Sequence, residues 1–195
     1  MDWCAFLLLG IMIGTITFCM AFMEETISDG IVAGMEVHMQ DNLDSGDGSK
    51  YFGPWIYYAF ICAIFALVSG VMTTYWGQGA AGSGVAELIG YMNGVNYPGF
   101  ISIPSFVTKI FGVTFAVIGK LCIGKEGPLA HIGAIAGLLV LYTPGLGFEF
   151  MRTDEKRRQL AAAGCSAGVS CAFGAPIGGT LFAYEMSKPN TFWRF

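Results

Sequence analysis

Two glycine-rich breaks hold the residues whose types and spacing could do chemistry. The first is Gly82-Ser83-Gly84, ahead of a short helical stretch, and the second is Gly124-Lys125-Glu126-Gly127-Pro128, ahead of a longer one. A helix start leaves about four backbone N–H groups without intrahelical partners and carries roughly half a positive charge, so it attracts anions. Glycines let those amides approach a ligand, and Ser83 adds a hydroxyl donor. Glu126 stands among long uncharged segments, where an acid is costly and is a functional candidate by default. With Pro128 near the first helical turn, the carboxylate can fold back onto the amides and compete there with a bound anion. That makes a gate, opened when Glu126 is protonated or displaced. The plainer readings stay open: the glycines allow tight helix contact, Ser83 is an N-cap, and Glu126 caps its own helix.

Other chemistry fits less well. Gly119 to Glu126 matches G-x-x-x-x-G-K but puts Glu126 where a phosphate loop needs Ser or Thr, which repels phosphate and removes a metal ligand. No catalytic set is assigned, and the chain is not read as an enzyme. His131, three residues after Pro128, is read as a packing hydrogen-bonder ahead of a titrating group. The six cysteines all lie in apolar stretches without CxxC or His-paired spacing, so they read as buried thiols and no metal site is expected. Ten Lys and Arg against fourteen Asp and Glu give a net charge of -4, with no broad basic surface for nucleic acid.

The elements that position these breaks belong to a membrane. Of 195 residues, 54% are hydrophobic and only 12% charged, with mean hydropathy +0.60, against about 25% charged in soluble chains. The charges cluster, leaving residues 3–23, 51–86, 88–108, 127–148 and 159–184 free of them; runs of about 18 or more such residues are long enough to cross a bilayer. Residues 1–27 read as a first transmembrane helix ending at Glu24-Glu25, retained because Asp2 stands where a signal peptide has bases. Residues 28–50, with Asp29, Glu36, Asp41, Asp44, Asp47 and a Gly/Ser/Asp run, read as an acidic extracellular loop. Residues 51–195 then carry transmembrane and re-entrant helices. These are Tyr51 to about Trp76, a short helix ending at Asn93-Gly94, Pro104 to about Cys122, Leu129 to about Tyr142, and Leu160 to Met186 divided by Pro176. Arg152, Lys156, Arg157 and Arg158 place their loop in the cytoplasm.

Three segments in order, Gly82-Ser83-Gly84-Val85-Ala86-Glu87, Gly124 to His131 and Pro176 to Glu185, resemble successive motifs of the CLC family of chloride channels and chloride/proton exchangers. The resemblance implies an all-α integral membrane protein of tilted and broken transmembrane helices, the first inverted repeat of a CLC-type fold. It implies an anion pathway in which Gly82, Ser83, Gly84, Gly124, Lys125, Gly127 and Pro128 help hold chloride and Glu126 gates. Chloride is the transported ligand and no cofactor is implied; the complete protein would be a homodimer in lipid, in a plasma or intracellular membrane. Three departures stand out. Ala86 replaces a usual proline. Met186 stands where exchangers carry a second glutamate that takes protons from the cytoplasm. The second inverted half and the cytoplasmic nucleotide-binding domains are absent, so the chain is expected to be incomplete or one half of a split protein. The favoured expectation is a voltage-gated chloride channel; the alternatives are a chloride/proton antiporter and a non-conducting fragment that packs with a partner half.

Overall fold

The structure, a computed structural model, describes residues 2–44, 51–143 and 153–187. Every regular element among them is helical: α1 (Asp2–Asp44), α2 (Phe52–Tyr75), a 3₁₀ turn (Gln78–Ala80), α3 (Val85–Met92), α4 (Ile103–Ile118), α5 (Glu126–Tyr142), α6 (Asp154–Phe173) and α7 (Pro176–Ser187). The breaks expected at Gly77–Gly84, Gly124 and Pro176 fall where the sequence puts them; Gly82 and Gly84 before α3 and Gly174 before α7 take left-handed φ values of 69°, 79° and 62° that other residues rarely adopt.

One boundary differs. The first helix does not end near Ile27, and the stretch from Ser28 to Asp44, expected as a loop, continues α1. Acidic composition alone does not stop a helix, and no proline interrupts this one. Packing on α2 carries it: the Tyr57 hydroxyl lies against Gly34, and the His38 and Tyr57 rings approach to 4.7 Å. At about 1.5 Å per residue α1 is roughly 64 Å long, more than the ~40–45 Å of a whole bilayer, so part of it must project beyond the membrane. The Gly/Ser/Asp run from Ser45 to Lys50, and Arg152 of the basic cluster, lie outside the described residues. Lys156, Arg157 and Arg158 sit in the first turns of α6, whose N-cap is Thr153.

α1 and α2 are the two described helices long and apolar enough to cross a membrane. α2 presents Trp55, Phe60 and Leu67 outward, each more than 60% exposed, an apolar face suited to lipid. α5 is the opposite case. From Pro128 to Leu141 all of its residues but Leu139 are buried, as expected of a helix that is apolar all round and sits in the middle of its fold.

What lets α5 enter is a set of glycines. Gly133 and Gly137 on α5 face Gly164 and Leu160 on α6, and a Cβ built on Gly133 or Gly164 would stand 2.8 or 2.7 Å from the other's carbonyl carbon. Gly168 meets the Leu129 carbonyl in the same way. Small residues four apart on both helices thus bring the two backbones into contact. Leu9 and Ile13 of α1, Leu88 and Met92 of α3, and Leu160 and Val169 of α6 complete the apolar cluster around this pair.

Gly164→Val should therefore force the α5 and α6 backbones apart and destabilise the protein by about 1–3 kcal/mol or more. Thermal unfolding in detergent checks this against Gly10→Val, whose site has no atom within 4 Å of a new Cβ: the first should melt several degrees lower, the second close to wild type.

Candidate functional site

With α5 fixed, its N-terminus meets that of α3. Gly127, in the first turn of α5, packs on Ser83, and a Cβ there would stand 2.7 Å from the Ser83 Cβ. Gly84, the N-cap of α3, packs on His131 of α5, leaving 2.5 Å between a built Cβ and Nδ1. Two helix starts are thereby brought side by side by glycines alone. Their first-turn N–H groups have no intrahelical acceptor and lie close to one another. The Ser83 Oγ accepts a long bond of 3.4 Å from Val85 N–H, which leaves its hydroxyl proton free to donate.

A cavity of about 360 Å³ opens beside this junction, lined by Gly82, Ser83, Gly124 and Pro128, and across it by Thr108 and Lys109 of α4. Lys109 is the one buried cation among the described residues, 1% exposed. Its Nζ donates to His131 Nδ1 at 2.8 Å, and the opposite ring nitrogen, Nε2, faces the Phe100 carbonyl at 3.1 Å. A carbonyl only accepts and an ammonium only donates, so Nε2 carries the ring proton and Nδ1 has none. His131 is thus a neutral orienter, stacked on Phe100 at 4.0 Å, and it brings no counter-charge to Lys109. Lys109 and the two helix starts put positive charge on the cavity wall, and Glu87 in the first turn of α3 is the carboxylate whose field reaches Lys109.

Glu126 is half-buried, and its carboxylate folds back over Gly124 on the cavity rim. It makes no hydrogen bond or ion pair to a described residue, and side-chain rotation alone would move it. Lys125, the α5 N-cap, turns away from the cavity, and its Nζ pairs with Glu24 of α1 at 3.2 Å. Met186 lies far from this junction along the chain, buried in α7 within the apolar cluster, beside an exposed Glu185. The geometry therefore gathers Gly82, Ser83, Gly84, Gly124, Glu126, Gly127 and Pro128, and sends Lys125 and Met186 elsewhere.

Sequence reasoning passed over Lys109. The signal was present: it is the one charged residue between Glu87 and Lys120, and an ionisable group inside such a segment marks a site by default.

Broken helices whose starts meet beside a cavity place this chain among membrane proteins with irregular backbone inside the fold, and comparison with known proteins gives the family. The family model described as voltage gated chloride channel matches residues 65–194; the chain belongs to this family, as an integral multi-pass membrane protein. It is 40% identical to "Chloride channel protein CLC-d" of Arabidopsis thaliana over 74% of this chain and 19% of that one. With "H(+)/Cl(-) exchange transporter 7" of Mus musculus it shares 33% identity over 98% of this chain and 24% of that one. The solved structure titled "Crystal Structure of a eukaryotic CLC transporter" superposes with a TM-score of 0.76 at 26% identity, over 94% of this chain and 33% of that chain. The chain thus spans about a quarter or less of the length of these two relatives.

Proposed function

We propose that the chain contributes the gated part of a chloride pathway, and that the complete protein is a voltage-gated chloride channel. The observation that carries the reading is the meeting of the α3 and α5 N-termini at Ser83 and Gly127 beside a cavity that holds a buried cation. Unpaired amides, a hydroxyl proton and an ammonium are what a desolvated chloride needs, and none of them supplies a competing negative charge. In this reading Ser83 and the amides around Gly82, Gly84, Gly124 and Gly127 bind the ion, while Lys109 sets the potential of the chamber. Glu126 is the gate: its carboxylate stands over Gly124 on the rim of the cavity, and it must be protonated or swung out before conduction. The completed protein is a homodimer, as the resemblance implies.

The exchanger reading has its own support, since one relative similar to nearly the whole chain is named an H(+)/Cl(-) exchange transporter. Against it stands Met186, a buried thioether that carries no proton, at the position of the exchangers' inner acid. A channel leaves chloride flux free of stoichiometric protons, so a pH gradient across the membrane should not shift the reversal potential of the full-length protein. A clear shift would establish the exchanger and require another inner acid, with the exposed Glu185 the nearest.

Replacing Glu126 tests the gate itself. Glu126→Ala removes the competing charge and keeps the amides, so opening should lose most of its dependence on voltage and external pH while chloride selectivity persists. Currents recorded across external pH check this: pH-dependent closure that survives unchanged would make Glu126 a helix cap and place the gate elsewhere.

A further inference from the structure

We propose that Glu24 of α1 is a positioning residue for the gate, holding Lys125 away from the Glu126 carboxylate. The proposal rests on the reading of Glu126 as the gate. Two lysines bracket the break that leads into α5, and both are tied to the same face of α1. The Lys125 Nζ pairs with Glu24 Oε2 at 3.2 Å, and the Lys120 Nζ hydrogen-bonds the Ser28 Oγ. Glu24 and Ser28 are one turn apart, so their side chains stand one above the other. Lys120 is also the described non-glycine residue with a left-handed φ, at 54°, a conformation the chain keeps only where surroundings impose it. The break is thus clamped at both ends by one helix, and the residue at its inner end precedes the gate.

The charge arrangement gives the clamp a consequence. Lys125 is adjacent to Glu126 in the chain, on a flexible stem of four carbons. Glu24 is a counter-charge that draws its ammonium to the α1 side, where a space of about 130 Å³ lies between α1, α4 and α6. Without Glu24 the ammonium loses its partner and is free to swing back along its stem towards the break, where it can approach the Glu126 carboxylate. That contact would favour the ionised, closed form of the gate. The titratable and charged groups around the two side chains are Glu24 and Glu25 on α1, Lys120 and Cys122 on the break, Lys109 on α4 and Cys171 on α6. Of these, Glu24 is the one ion-paired with Lys125.

The test measures, in the full-length protein, the external pH at half-activation for wild type, Glu24→Gln, Lys125→Met and the double variant. Glu24→Gln should move half-activation about 0.5 to 1 unit towards acid, and Lys125→Met should move it towards alkaline pH. In the Lys125→Met background, Glu24→Gln should have less than half its effect. Equal shifts in both backgrounds would mean that Glu24 acts only by its own field, and an unshifted Glu24→Gln protein would mean that it does not act; either overturns the proposal. Lys125→Met keeps the question open to measurement if Glu24→Gln fails to assemble, because its alkaline shift is required in any case and its absence contradicts the proposal. Glu126→Ala separates this from failure of the gate reading: if that variant still closes with pH, Glu126 is not the gate, whatever the clamp does.

Discussion

The contact between the α5 and α6 backbones at Gly133 and Gly164 is the constraint on which the rest depends. Where side chains would hold two helices about 8–10 Å apart, glycines let the carbonyl of each stand against the Cα of the other. This depth of entry buries α5 almost completely, and it fixes where its first turn lies. Gly127 then reaches Ser83, and His131 reaches both Gly84 and Lys109. The site has no independent scaffold. Its donors are backbone amides, and their positions are those of the helices that carry them.

This arrangement answers two costs at once. Unpaired amides inside a membrane are expensive, and so is an unpaired cation. Each helix start is left open by a break, and Lys109 has the neutral His131 as its hydrogen-bond partner among the described residues, with the Glu87 charge reaching it from α3. An anion in the adjoining cavity would meet both needs together, and the Glu126 carboxylate stands at the rim of that cavity, over Gly124. A carboxylate held by no partner among the described residues is free to move by side-chain rotation.

The sequence made the breaks legible because glycine, proline and lone charges are local signals. Gly82, Gly84, Gly127 and Pro128 could be placed at helix starts by residue type, and Pro176 at the head of α7. The length of α1 was not legible, since Ser28 to Asp44 reads as loop by composition, and its helix is carried by packing on Tyr57. The partner of Lys125 was hidden for the same reason: Glu24 lies 101 residues away, and only tertiary structure brings it near. Lys109 was legible in principle but its neighbour His131 was not, because nothing local says which faces of α4 and α5 meet. Small residues announced close helix contact along Ala161 to Gly168 without saying that α5 was the partner.

The central claim is that an anion binds between the α3 and α5 helix starts and that Glu126 competes for the same donors. Bromide replaces chloride and scatters anomalously, so its positions in crystals of the full-length protein report on this directly. Wild-type protein should show bromide beside the Ser83 hydroxyl, in the cavity shared with Lys109, and Glu126→Gln should add a second ion beside Gly124 and the first turn of α5, where the carboxylate had lain. Crystals of both proteins with no bromide at Ser83, or an unchanged set of ions when Glu126 is neutralised, would contradict the account.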